Sequence, residues 1–446
     1  MTHPLSHLLP DSASFSAAGT LHIANHSISE LAQRYGTPLY VFDRATIVNA
    51  CQQYQRAFRE HYTASQVEFR YASKAYLSPI LARIVAEQGM GLDVVSGGEL
   101  LLARQADFPA ERIAFHGNNK SAEELRLALQ HNVGRIVLDN WSELELLTSL
   151  ARAGGQRPEV LVRVAPDVQT DTHRYLQTGH AASKFGFALG NGEAKAAMLR
   201  ILAEGELCLA GLHAHNGTLL RETRPYEESV ERLWALARDV YEETRWWPRE
   251  ISPGGGWGID TPGEGAAPGV DTLARALQVS MERQMQANRS ELPVPALVLE
   301  PGRSIIARAG VAVYRIGARK QTAGGVTYLF VDGGMGDNIR PALYGAQYSA
   351  LAAERAFAPP EERVCVAGRY CESGDVLIEQ IMLPRMRAGE LLVLPTSGAY
   401  CLPMASNYNL VPRPAVLLVD DGSAQLMERR ETIDDMLKRY QFFDEQ

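Results

Sequence analysis

The sequence predicts an eight-stranded α/β TIM barrel over residues 44–310, joined to a mostly antiparallel β domain built from the C-terminal segment and the N-terminal strand. Three observations predict it. Between residues 45 and 310 short apolar runs alternate with helical patterns, as in a parallel βα repeat. Eight such runs fall at fairly even spacing, which favours a closed barrel over a doubly wound sheet. Beyond Ala309 the helical pattern gives way to apolar runs separated by turn residues, the texture of antiparallel strands.

Each element follows from its own pattern. The barrel strands are expected at Val67–Ala72, Leu92–Val95, Arg112–Phe115, Arg135–Leu138, Val160–Val164, Leu209–His213, Glu250–Ser252 and Leu297–Leu299. Helices with apolar residues three and four apart are expected at Pro79–Glu87, Ala122–Gln130 and Pro225–Glu243. Residues 1–43 and 311–446 form the second domain, of β-sandwich or barrel-like type. Its strands are expected at Leu39–Phe42, Val311–Ile316, Val326–Val331, Val364–Ala367, Leu391–Leu394 and Ala415–Val419, with a helix near Asp434–Tyr440. Pro262–Gly269 reads as an exposed loop.

Composition narrows the function. The chain has 446 residues, 46% hydrophobic and 22% charged, enough apolar material for large cores and unlike a disordered or collagenous chain. Its 44 Lys+Arg against 52 Asp+Glu give a net charge of -8, which offers no footprint for nucleic acid. No apolar run approaches the roughly 18–20 residues that span a bilayer, and Met1–Ala18 lacks a leader's basic-then-apolar order, so a cytoplasmic protein is expected. Five cysteines without a CxxC pair argue against a disulfide framework or a zinc site.

Barrel chemistry sits at the C-terminal ends of strands, so the residues after each strand are the candidates. Lys74 follows the first strand; it is a solvated loop residue or an amine for Schiff-base chemistry. The sixth strand runs into His213-Ala214-His215-Asn216-Gly217-Thr218. Two histidines at i and i+2 suit zinc, but no carboxylate or third histidine is near in sequence; a flat imidazole beside a cofactor ring, followed by a hydroxyl, suits the pattern equally. Gly254, Gly255 and Gly256 after the seventh strand suit an anion cradle. After the eighth strand, Glu300 either pairs locally with Arg303 or faces a protonated ring nitrogen. Amine, anion cradle, acid and imidazole together describe a pyridoxal phosphate pocket, with no metal.

Nine segments also carry a family resemblance: GTPLYVFD (36–43), YASKA (71–75), GLDVVSGGEL (91–100), SKFGF (183–187), SPGGGWG (252–258), EPGR (300–303), VDGGMGDNIRPALY (331–344), CESGD (371–375) and GAYCLPMASNYN (398–409). In this order, across nearly the whole chain, they resemble the group IV pyridoxal-phosphate decarboxylases of alanine-racemase-like fold, fold type III, and most of all their diaminopimelate branch. The resemblance implies that Lys74 holds pyridoxal 5'-phosphate, His215 stacks on its ring, and Thr218, Gly254, Gly255, Gly256, Gly302, Arg303 and Tyr400 contribute to its binding. Glu300 would keep the ring nitrogen protonated. Cys371, contributed by the neighbouring subunit of a homodimer, would return a proton to the substrate.

The implied reaction is loss of CO2 from meso-diaminopimelate to give L-lysine, a step of lysine biosynthesis. The leaving carboxylate should not be salt-bridged, because stabilising its charge in the ground state raises the barrier. Arginines should therefore grip the second carboxylate: Arg340, or otherwise a surface-loop charge, with Arg303. Glu372 would meet the distal ammonium, and Tyr344 and Tyr400 would contact substrate or phosphate. HAHNGT departs from the family pattern, with Asn216 and Thr218 where an aliphatic residue and serine are usual. An amide at 216 beside the cofactor would fit related enzymes acting on D-ornithine, D-lysine or a siderophore or antibiotic intermediate. A racemase and a non-catalytic regulator of the same fold are the other classes.

Overall fold

The computed structural model describes residues 3–168, 183–263, 265–287 and 292–441. The chain divides into two compact units, one of Ala50–Ile259 and Ala267–Ser304, the other of Met1–Asn49, Asp260–Ala266 and Ile305–Gln446.

The first unit is a closed parallel barrel. Its strands are Val67–Ala72, Gly91–Val94, Ile113–Phe115, Arg135–Leu138, Glu159–Ala165, Cys208–His213, Glu250–Gly254 and Ala296–Leu299. Each pairs in parallel with the next, the eighth pairs with the first, and the fourth with the fifth, so no edge remains among the eight. Phe187–Ala188 adds a short parallel piece against the end of the fifth strand. The helices begin where the sequence supplies caps. Ser78, Ser96 and Asn140 accept the amides of Leu81, Glu99 and Glu143, and Ser121 forms a reciprocal capping box with Glu124. Each cap contributes about 1 kcal/mol and fixes the helix start just after a strand end, where a barrel keeps its chemistry.

The second unit is a mostly antiparallel sheet. Its order is Val376–Leu383, Glu362–Ala367, Thr327–Val331, Gly310–Gln321, Leu39–Asp43, Ala415–Asp420 and Ser423–Glu428, with Leu391–Leu394 pairing Gly310–Gln321 and Leu351–Ala352. Two pairings are parallel, Thr327–Val331 with Glu362–Ala367 and Leu39–Asp43 with Ala415–Asp420. Strand alternation sorts side chains to two faces. Leu39, Val41, Val311, Val313, Leu417 and Val393 join one apolar core. Tyr40 and Tyr314 instead direct their hydroxyls to Asp337. Against the apolar face pack Leu21, Ile23 and Ile28, from a small meander and the helix Ile28–Tyr35.

Candidate active site

Every barrel strand delivers a polar side chain at its C-terminal end. Lys74 lies in the single turn Ser73–Ala75 after the first strand and is exposed. Asp93 belongs to the second strand, His116 and Asp139 follow the third and fourth, Arg163 belongs to the fifth, His213 ends the sixth, Ser252 belongs to the seventh and Glu300 follows the eighth. Apart from Lys74, all of these are buried.

Glu300 is the centre of this arrangement. His213 Nε2 donates to its Oε2 at 2.8 Å, and Ser252 Oγ donates to its Oε1 at 3.1 Å. His116 Nε2 stands 3.7 Å from Glu300 Oε1 and 3.4 Å from Asp93 Oδ1. Burial alone would raise the Glu300 carboxyl, but His213 and His116 more than offset it and hold Glu300 well below the usual carboxylate range. Asp93 goes the other way: burial and the charge of Glu300 push it well above its ordinary value, against the opposing pull of Arg70 and Lys74. One carboxylate is thus held ionised beside another that favours its neutral form. Of the two readings of Glu300, the local pairing with Arg303 does not form; Arg303 Nε turns to Thr218 Oγ1, at 3.4 Å.

His215 accepts the Gly255 amide at Nδ1, at 3.3 Å, and burial with the charges of Lys74 and Arg163 pushes it well below the ordinary histidine value. It is a neutral, flat ring. The sequence placed no third metal ligand near the histidine pair, yet folding gathers His116, His213 and Glu300 with ligand atoms within 4.8 Å of one another. The sequence distance was the wrong measure. Within the trio the His213–Glu300 approach is a hydrogen bond, while the buried His116 Nε2 has no hydrogen-bond partner among the described residues.

The glycines earn their place by close approach. A Cβ on Gly255 would lie 1.8 Å from the Glu300 carbonyl oxygen, and one on Gly256 2.0 Å from that of Gly217. The Gly254 amide is engaged by Ser252 Oγ at 3.1 Å and that of Gly255 by His215. Among the described residues, only Gly256 of the three keeps an N–H without an acceptor. Gly302 packs against the lysine turn, where its Cβ would meet that of Ala72 at 3.0 Å.

Asn216 corrects an expectation. Its side chain is buried, and Nδ2 donates to the Pro225 carbonyl at 2.9 Å and to Ser229 Oγ at 2.7 Å. The amide nitrogen of the residue behind the D-ornithine and D-lysine alternatives thus anchors the helix Arg224–Thr244, while its buried Oδ1 has no partner among the described residues. Arg163, unread in the sequence, lies 3.5 Å from Asp139 and 4.5 Å over the Phe185 ring, while Asp139 accepts the Gly186 amide at 3.0 Å. These contacts fix SKFGF to the barrel; residues 171–182, just before it, lie outside the described residues. Asp93, His116, Asp139 and Arg163 had a usable signal, since each stands at a strand end.

The second unit holds the other candidates. Arg340 opens the short helix Arg340–Tyr344 and is only 8% exposed, which removes its reading as a surface charge. Its Nη1 donates to Tyr348 OH at 3.0 Å, its buried Nε has no acceptor, and among the described residues no carboxylate pairs with it. Tyr344 and Tyr400 are half-buried. Cys371 and Glu372 are both exposed. Asn409 Oδ1 accepts the Cys371 amide at 3.3 Å, and Tyr408 OH donates to Glu372. Asp375 braces this loop by accepting the amides of Met335 at 2.6 Å and Tyr370 at 2.7 Å. A Cβ on Gly336 would strike Tyr370 OH at 2.0 Å, which explains the glycine at that position of the GGMG turn.

Comparison with known proteins adds two findings. Residues 44–307 match the pyridoxal-binding domain of pyridoxal-dependent decarboxylases. The chain is 41% identical over 421 residues to a diaminopimelate decarboxylase of Bacillus subtilis, covering 94% of this chain and 95% of that protein. It is 38% identical over 448 residues to that of Mycobacterium tuberculosis, covering 98% of each. A solved diaminopimelate decarboxylase from M. jannaschii in complex with L-lysine superposes with a TM-score of 0.88 at 31% identity, covering 96% of this chain and 97% of that one.

Proposed function

The chain belongs to the pyridoxal-dependent decarboxylase family, and on that premise we propose that it converts meso-diaminopimelate to L-lysine and CO2 with pyridoxal 5'-phosphate at the barrel mouth. The observation that carries the substrate is the near-full-length likeness to diaminopimelate decarboxylases. The buried, carboxylate-free Arg340 supports it.

The barrel mouth fits the cofactor on its own chemistry. An ionised buried carboxylate, Glu300, is what a protonated ring nitrogen needs, and a neutral His215 ring suits stacking. Thr218, Arg303 and the open Gly256 amide supply a hydroxyl, a cation and an N–H for a phosphate. Lys74 supplies the amine for covalent attachment. When bound, pyridoxal phosphate provides the sink for the electron pair left as the carbon–carboxylate bond breaks.

The residues divide the remaining work. Glu300 holds the proton on the ring nitrogen, and His213 and Ser252 hold Glu300 in place and in charge. Arg340, with Arg303, takes the carboxylate that stays, which leaves the departing one unpaired and free to lose its charge as CO2. Glu372 meets the distal ammonium, and Tyr344 and Tyr400 complete the contacts to substrate or phosphate. The Cys371 thiol returns one proton to the reacting carbon, so each turnover releases one CO2 and consumes one proton. Its exposure on the single chain is consistent with delivery from the partner of a homodimer. Among the described residues no helix is long and apolar enough to cross a membrane.

A decarboxylation panel tests the reading. The holoenzyme is expected to release CO2 and L-lysine from meso-diaminopimelate and to leave D-lysine, D-ornithine and arginine largely untouched. Release from D-lysine or D-ornithine but not from meso-diaminopimelate would overturn the substrate.

A further inference from the structure

We infer that Tyr348 is a specificity-determining positioning residue, which aims the Arg340 guanidinium at the retained carboxylate of the substrate without neutralising it. The inference rests on the reading of Arg340 as the carboxylate grip and goes beyond it, since no sequence motif singled out Tyr348.

The argument starts from donor and acceptor bookkeeping. A guanidinium only donates, so in the 3.0 Å contact Tyr348 OH accepts from Arg340 Nη1 and keeps its own hydrogen. That hydrogen faces Cys401 Sγ at 3.3 Å, and the Cys401 thiol in turn points to the Ala399 carbonyl at 3.8 Å. The result is a directional chain of three buried groups with Arg340 at its head. Asn338 adds a second hold on the same residue, its Oδ1 facing the Arg340 backbone amide at 3.4 Å.

What the chain lacks is as informative. Elsewhere in the protein buried or half-buried arginines such as Arg70 and Arg135 are held by carboxylates. Arg340 is held by a phenol. Burial and the nearby Cys401 push the Tyr348 hydroxyl above its ordinary value, so it remains neutral and cancels none of the guanidinium charge. One edge of the fork is occupied while the buried Nε has no acceptor, which leaves a donor for a carboxylate approaching from the other side. A carboxylate at position 348 would give equal rigidity but would compete with the substrate.

The test compares the holoenzyme's binding of L-lysine with that of 1,5-diaminopentane, the same molecule without its carboxylate. Tyr348→Phe is expected to weaken L-lysine binding about tenfold, the worth of one hydrogen bond to a charged group, with 1,5-diaminopentane shifted less than about twofold. For meso-diaminopimelate KM should rise with kcat near the parent value. Tyr348→Gln, which restores an acceptor, should recover most of the selectivity, and it carries the test if the phenylalanine variant does not fold. Equal weakening of both ligands, or of neither, overturns the role of Tyr348. Arg340→Ala separates the two ideas: if it leaves the lysine-to-diamine ratio unchanged, the reading of Arg340 itself fails.

Discussion

The two ends of the barrel use the same residue types to opposite effect. At the floor, where the strands begin, Glu250 lies between two arginines: Arg70 Nη2 is 2.9 Å from Oε1, and Arg135 Nη2 is 2.9 Å from Oε2. Burial disfavours each charge, but Arg70 and Arg135 overcome it and lower the Glu250 carboxyl, while Glu250, Asp93 and Glu68 raise Arg70. At the mouth, Asp93 stands beside Glu300, and burial drives His116, His215 and Arg163 toward their neutral forms. Each arginine at the floor has a carboxylate partner, whereas the mouth would gain from a cationic ring nitrogen and an anion. Buried charge therefore reads as structural where partners balance it and as functional where they do not.

The sharpest way to break this comparison is at Lys74. Lys74→Ala should abolish decarboxylation and the visible absorbance of the lysine-bound cofactor, yet shift folding stability by less than about 0.5 kcal/mol, because the side chain is exposed. Mixed with Cys371→Ala chains it should regain part of the activity if each site draws on two subunits. Absence of any recovery would argue for sites built within one chain.

Glu250→Gln should do the reverse. It leaves Arg70 and Arg135 without their shared buried charge and should cost about 3–5 kcal/mol in denaturant unfolding, with kcat of the folded enzyme little changed. The sign of its pH dependence is fixed by the lowered carboxyl. The stability contributed by Glu250 is complete above its ordinary value of 4.5 and is lost as pH falls through the lower folded value. The variant should accordingly show a flatter loss of stability on acidification than the parent. An equally steep acid limb would remove Glu250 from the account.

Asn216→Ala is the smallest test. Losing its two buried hydrogen bonds should cost about 1–2 kcal/mol in stability with substrate preference unchanged. A shift toward D-ornithine or D-lysine would return residue 216 to the substrate pocket.

Elements with a strong period were legible. The barrel strands Val67–Ala72 and Arg135–Leu138 and the helices Pro79–Glu87 and Ala122–Gln130 have the bounds their patterns predict. The sheet strand Ser423–Glu428 gave no signal because it is an edge strand with both faces largely exposed, so no alternation is required. Val376–Leu383 was hidden by Glu379 and Gln380, both exposed in mid-strand. In the site, Glu300 was legible as an acid leaving a buried strand. That His213, Ser252 and His116 surround it was not, because they come from other strands 48 to 184 positions away in the chain.

By itself the sequence determined the repeat that closes the barrel, the caps that start its helices and the glycines that let Gly255 meet Glu300. All of these are local: a period, a spacing, a missing Cβ. Tertiary structure alone decided which ionisable groups share a dry space. It held Glu300 ionised beside a reluctant Asp93, turned Asn216 away from the chemistry and set Arg340 against a phenol. The reason is that charge state in a protein depends on distance and desolvation, and both are properties of the folded chain.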